Sequence, residues 1–280
     1  MERYISQYDT EGTNQDNNHG YEGPIEVSQG TYGSPKMQVE YIGAAAKMGW
    51  KEVPDRGGRQ SVNAVWKIHQ FISREGKRQD AASCYVHPRL GDGKHANLHV
   101  LVETEVVRVV FDGKNERAVG VEVRRSGSSE GDEGIDGVLR VKARKMVILA
   151  SGALGTPLIL ERSGIGQVDV LEKAGVASIV DLPGVGNDYQ DHHLMSYAYK
   201  STFGAEDTGD ALLYGKMGTM EELIKANHKI LGWNAQELQG KFRPTEDEVD
   251  ALGADFRKVW DVEFKDHPEK PLVVLNLIAG

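Results

Sequence analysis

A single cysteine, Cys84, stands in 280 residues. One thiol excludes an internal disulfide and fits a reducing compartment. Long apolar runs are missing too: none approaches the roughly 18 residues a spanning helix needs. Basic charge is in deficit, with 33 Lys and Arg against 42 Asp and Glu and a net charge of −9. That balance argues against a nucleic-acid or anionic-membrane partner, which basic patches would attract. The start, Met1-Glu2-Arg3-Tyr4, leads into a polar, Asn-rich stretch rather than the apolar core of a secretory leader. The last residues, Leu277-Ile278-Ala279-Gly280, are not a Ser-Lys-Leu address. The expected location is intracellular, cytoplasmic or peroxisomal. Proline is scarce at 9, whereas glycine is abundant at 33. Excess glycine without excess proline implies tight turns and close backbone contacts rather than disorder. With 39% hydrophobic and 27% charged residues, the composition is that of one large or two ordinary globular domains.

The most informative stretch is VILASGALGTPLILERSGIG at residues 147–166. An apolar run meets the small residues Ser151-Gly152, then Thr156-Pro157 starts a helix, then Ser163-Gly164-Ile165-Gly166 ends it. A strand that turns on small residues into a helix brings bare backbone up to a phosphate or cofactor. The same residues also make a purely structural βα unit, with Pro in the first turn and Gly past the end.

Elsewhere the patterning is mixed. Residues 10–24 read as a polar loop and Ile25–Ser28 as a strand. Ser34-Pro35 starts a helix that Gly49 ends. Val62, Val65, Trp66, His69 and Ile72 predict a helix over 62–74, which makes His69 a packed core histidine. Leu98–Val102, Glu105–Phe111, Ala118–Arg124 and Val138–Lys142 are Val-rich, partly alternating strands. Asp112-Gly113 marks a turn, and 126–137 reads as a solvated loop. Met146–Ala150 does not alternate, as in a parallel strand buried on both faces. A short helix over 168–174 closes at Gly175, and a strand follows over 176–182. Thr219/Glu222, Asn234/Glu237 and Thr245/Glu248 have capping-box spacing. The third leads an amphipathic stripe of Val249, Leu252, Phe256, Val259 and Trp260, which reads as packing. Pro271 followed by apolar residues predicts a buried strand. Domains seldom stop inside a core strand, and no strand–glycine–helix opening precedes the first polar loop, so both ends read as those of a fragment.

Several chemical possibilities fall on local geometry. Asp191-His192-His193 places a carboxylate beside two histidines, but adjacent side chains on an extended segment point apart and cannot share one metal. His95 and His99 flank a strand start, so helical ligand spacing fails. Ser83, Ser151 and Ser163 lack a G-x-S-x-G elbow. Cys84 has no histidine at motif spacing and reads as buried and inert. No metal site is expected.

Gly152-Ala153-x-x-Thr156-Pro157-x-Ile159-Leu160-x-x-Ser163-Gly164-Ile165-Gly166 resembles the second signature of the glucose–methanol–choline (GMC) oxidoreductases. Further blocks are similar to that family. They are His19-Gly20-Tyr21-Glu22-Gly23-Pro24-Ile25-x-Val27, Arg78-x-x-Ala81-Ala82-x-x-Tyr85-Val86 and Ala118-Val119-Gly120-Val121-Glu122. Asp181-Leu182-Pro183-Gly184-Val185-Gly186-Asn187, with Gln190-Asp191-His192, closes the match. The helical tail and the ending from Lys270-Pro271 to Ile278-Ala279-Gly280 look closest to fungal alcohol oxidases.

The resemblance implies an α/β fold, mixed with α+β features. It would combine part of an FAD-binding Rossmann-like domain, including a β-meander, with part of a substrate domain of antiparallel sheet and helices. The expected segments are a lead-in at 1–23, substrate-domain parts at 24–77 and 197–280, and an FAD-domain part at 78–196. The implied cofactor is FAD, touched by Val106, Ala150, Ser151 and Gly152, with Val106 meeting the adenine through its backbone. The implied reaction is hydride transfer from a primary alcohol to flavin, with O₂ as reoxidant. The family's opening strand–GxGxxG–helix, its first Gly- and Ser-rich signature and its catalytic His with a His or Asn partner have no counterpart in this sequence, so no catalytic residue is assigned. The expectation is a fragment of such an enzyme; the alternative is a non-catalytic remnant unable to hold FAD alone. The expected partner is a small alcohol, with no nucleic acid and no membrane, and the family leaves room for a homo-oligomer of the full-length protein.

Overall fold

The computed structural model describes residues 2–4, 20–54, 61–113, 117–127 and 137–280, with residues 2–4 as backbone only. Much of the expected 10–24 loop, His19 of the family block included, and residues 128–136 of the expected solvated loop lie outside them. In chain order the strands are β1 (Glu2–Tyr4), β2 (Ile25–Val27), β3 (Lys51–Glu52), β4 (Ala64–Lys67), β5 (Thr104–Phe111), β6 (Ala118–Arg125), β7 (Leu139–Lys142), β8 (Ile165–Gly166), β9 (Val180–Asp181), β10 (Gln236–Phe242) and β11 (Val273–Ile278). The α-helices are α1 (Pro35–Lys47), α2 (His87–Gly91), α3 (Gly152–Arg162), α4 (Val168–Lys173), α5 (Asp210–Leu213), α6 (Met220–Lys225), α7 (Glu246–Ala251) and α8 (Ala254–Glu263). The chain divides into two compact units: Met1–Leu98 with Tyr199–Gly280, and His99–Ala198.

In the first unit, α1 starts at Pro35 behind Ser34 and ends where Gly49 takes φ +82°, as the sequence predicts. The 62–74 segment is a strand, not a helix. β4 is buried from Ala64 to Trp66, with Val65 and Trp66 at 0% exposure. An apolar run buried on both faces has no period that tells helix from strand, and β-branched and aromatic residues favour the strand. Asn63 N–H donates to Lys241 O at 2.7 Å and Ile68 N–H to Glu237 O at 3.2 Å, so β4 lies beside β10. β10 pairs antiparallel with β11. The predicted strand near the C-terminus therefore forms, but it is not buried: Val274 is 49% and Ile278 56% exposed.

Two of the three capping boxes are present, at Thr219/Glu222 and Thr245/Glu248. The third is absent because Glu237 belongs to β10, and Asn234 Oδ1 accepts from Gln236 N–H instead. The long amphipathic helix is two, α7 and α8, broken at Gly253, whose φ is +94°. That break turns Leu252 and Val259 outward, while Val249 and Trp260 stay buried. Cys84 is half-exposed rather than buried, its Sγ 3.3 Å from Gln79 Oε1.

One core of this unit gathers Met37, Ala211, Leu223, Ile230, Trp233 and Ala279. Glu237, 3% exposed, ties it to α1. Its carboxylate accepts from Ser34 N–H at 3.0 Å, Gln38 Nε2 at 2.5 Å and Trp233 Nε1 at 2.7 Å.

The second unit is built on the antiparallel meander β5-β6-β7, which the Val-rich pattern predicted. Glu122, in the middle strand, accepts from Arg108 Nε at 2.6 Å and Arg140 Nη2 at 2.8 Å, joining all three strands. The hydrogen bonds from Arg108 and Arg140 hold the Glu122 carboxyl below the usual range. A carboxyl so lowered adds stability above its unfolded pKa and loses it as pH falls through the folded value. Glu122→Gln is thus expected to flatten the acid side of this unit's pH–stability profile, leaving the difference from wild type smallest at low pH. Far-UV circular dichroism melts at stepped pH check it.

Two predicted strands do not form. Leu98–Val102 and Met146–Ala150 have no ladder partner among the described residues, and Val102 and Ile148 are 76% and 78% exposed. Apolar patterning states what a segment can pair with; a strand also needs a neighbour to satisfy its backbone.

Candidate functional site

The sequence singles out the passage from Met146–Ala150 into α3, and the structure begins that helix one turn earlier than Thr156, at Gly152. Pro157 therefore sits inside the helix rather than at its first turn. Thr156 acts backwards: its Oγ1 accepts the Ser151 N–H at 3.1 Å and fixes the turn. Gly155 makes room for that turn, since a Cβ there would lie 3.0 Å from Ser151 Cβ.

Gly152 has φ +81°, a region L side chains rarely adopt, and a Cβ built on it meets no atom within 4 Å. The space beside it is open. Ser151 occupies the N-cap but its side chain makes no capping bond. The first-turn N–H groups of α3 are thus left without a side-chain acceptor at the positive end of an eleven-residue helix. Ala150 and Ser151 are exposed beside them.

At the other end, α3 is locked to β5. Ser163, 5% exposed, accepts the Val109 N–H at 2.8 Å and donates to Ile159 O. Arg162 Nη1 reaches Glu105 Oε1 at 3.3 Å. The bonds from Arg124, and then Arg162, hold the Glu105 carboxyl below its ordinary range. Val106 lies between these two anchor points. It pairs with Val123, and the register shifts between Val106 and Arg108, a bulge that interrupts the ladder beside it.

α3, about 16 Å long, begins at the Ala150–Gly152 turn, and its last residues are tied to β5, the strand that carries Val106. Sequence reasoning found this turn from its small residues but missed Thr156 as its fastener and Ser163 as the tie at the far end of α3. Both stood inside the signature as hydroxyls, which bond readily to nearby backbone. Ser163→Ala is expected to cost about 1–3 kcal/mol by stranding the buried Val109 N–H. Faster hydrogen exchange at that amide would check it.

The other polar candidates stay separate. Asp191 accepts from its neighbours His192 N–H and Tyr189 Oη, and these bonds lower its pKa. His192 and His193 are exposed. Among the described residues no group of three His, Cys, Asp or Glu could hold a metal ion, and no helix is long and apolar enough to cross a membrane.

The sequence profile of the GMC oxidoreductases matches residues 4–194, more than half of the chain. The chain belongs to the GMC oxidoreductase family. Among curated GMC relatives, alcohol oxidase of Pichia angusta is 32% identical over 94% of this chain and 39% of its own length. Human mitochondrial choline dehydrogenase is 38% identical over 62% of this chain and 26% of its own. Among solved structures, an FAD-dependent oxidoreductase from Chaetomium thermophilum superposes with a TM-score of 0.73 at 22% identity, covering all of this chain and 52% of that one. This likeness shows the mixed α/β GMC fold. The chain spans about two fifths of the length of the alcohol oxidases it matches.

Proposed function

We propose that this chain contributes one wall of the flavin site in an FAD-dependent oxidoreductase that acts on CH–OH donors, in the manner of an alcohol oxidase. The observation that carries the reading is the open, side-chain-free start of α3 at Gly152. Bound there, FAD would supply the redox chemistry, the hydride acceptance from an alcohol carbon and the reaction with O₂ that side chains cannot provide. The chain's own residues hold and orient. The N–H groups at the start of α3 would hold an anionic part of the cofactor, and Gly152 leaves the backbone bare for close approach. Ala150 and Ser151 border the same opening. The Val106 backbone, at the β5 bulge, would hold the adenine end, which makes His99–Ala198 the flavin-side unit in this reading. No residue of this chain is assigned to proton transfer.

Among primary alcohols, a simple uncharged one is favoured over the quaternary-ammonium alcohol choline, because the match to alcohol oxidases runs through 94% of the chain and that to choline dehydrogenase through 62%. An intracellular location fits the single cysteine.

The test is to express residues 1–280 with FAD supplied, purify the protein, and record its spectrum. A yellow protein with flavin retained through gel filtration is the expected result. A folded, colourless protein would contradict the reading and favour a remnant that cannot hold FAD. If yellow, anaerobic bleaching by ethanol and recovery in air would extend the claim to oxidase chemistry.

A further inference from the structure

Gly155 and Thr156 lie one turn into α3, yet both act on the residues before it. Threonine hydroxyls inside a helix commonly donate to the carbonyl one turn back. The bond of Thr156 runs the other way: the Ser151 N–H donates to its Oγ1 at 3.1 Å. Among the described residues, no other side chain bonds to the backbone of residues 150–152. Residues 146–150 have no ladder partner among the described residues, and the Ser151 side chain makes no capping bond. The place of Ser151 and Gly152 is therefore set from inside the helix, by one hydroxyl.

Gly155 supplies the room for that arrangement. Unlike Gly152 it does not take a positive φ, so its own backbone does not call for glycine. Alanine would be the better helix former there. What calls for glycine is a neighbour. A Cβ at 155 would lie 3.0 Å from Ser151 Cβ, and Ser151 would have to give by a few tenths of an ångström. The helix thus keeps a weak helix former where it holds the turn in place, and a local rule broken without a gain in packing marks a functional position.

We propose that Gly155 and Thr156 are positioning residues for FAD. Together they seat the Ser151–Gly152 turn so that the N–H groups at the start of α3 reach an anionic part of the cofactor. The inference rests on the flavin reading above. It adds that affinity is governed by two residues that act through the turn rather than by touching the cofactor.

The test is a titration of the full chain with FAD, followed by flavin fluorescence, beside Gly155→Ala, Thr156→Val and Thr156→Ser. Far-UV circular dichroism melts accompany each protein. Thr156→Val, which keeps the shape and loses the acceptor, should weaken FAD binding by about tenfold, the scale of one hydrogen bond that holds a charged ligand in register. Thr156→Ser keeps the hydroxyl and should restore most of that affinity. Gly155→Ala separates positioning from folding. Its melting temperature should equal or exceed that of wild type, because alanine favours the helix, while FAD binds about fivefold more weakly because the turn has shifted. A purely structural role would move stability and affinity the same way. Should Thr156→Val unfold, Gly155→Ala decides alone. Wild-type affinity in folded Gly155→Ala and Thr156→Val would overturn the inference and leave the flavin reading standing. No FAD binding by folded wild type would overturn both.

Discussion

Replacing Glu237 with alanine is expected to destabilise the first unit by about 3–5 kcal/mol, the usual effect of breaking a buried charged network. The carboxylate is 3% exposed and accepts three hydrogen bonds, from Ser34 N–H, Gln38 Nε2 and Trp233 Nε1. Truncation leaves those donors facing each other around a void. It also cuts the tie between the start of α1, β10 and the core around Trp233. Glu237→Gln keeps one acceptor oxygen but sets an amide NH₂ against a donor, so its effect should be smaller. All four tryptophans, Trp50, Trp66, Trp233 and Trp260, belong to this unit. Urea unfolding followed by tryptophan emission therefore reports on it without interference from the other. A loss below about 1 kcal/mol for the alanine variant, the scale of one ordinary net hydrogen bond, would contradict this account of Glu237.

Gly152→Val carries the second large effect. Any side chain at φ +81° is strained, by about 1–2 kcal/mol in this left-handed region. Alanine and valine both carry strain there, the β-branched valine more of it. They differ in how far they project into the opening at the start of α3, which no protein atom within 4 Å of a Cβ fills. If flavin lies against this turn, valine should weaken FAD binding by at least tenfold more than alanine does, measured at a temperature where both variants are fully folded. Similar affinities for both would place the cofactor elsewhere.

How much of this was legible in the sequence depended on how local the cause was. The start of α1 at Ser34-Pro35, the boxes at Thr219 and Thr245, and the closing glycines Gly49 and Gly175 are set within a few residues, and the structure has all of them. The meander was readable because hairpin neighbours along the chain are neighbours in space. What failed was set by distant partners. β4 reads as a helical stripe until β10 is known to lie beside it. Asn234-x-x-Glu237 has the same spacing as two true capping boxes, yet Glu237 is held in β10 by groups about two hundred residues away in sequence. Leu98–Val102 and Met146–Ala150 have the composition of strands and no strand to pair with among the described residues. The candidate site shows the same division. Its small residues stood out in the sequence, whereas the bond from Val109 N–H to Ser163 required the fold.

The most direct test of the flavin wall is a titration of the purified chain with FAD, followed by flavin fluorescence, beside Gly152→Ala and Gly152→Val. Saturable quenching by wild type, retained in the alanine variant and lost in the valine variant, is the predicted result. Saturable binding equal in all three proteins, or none in a folded wild type, would contradict it.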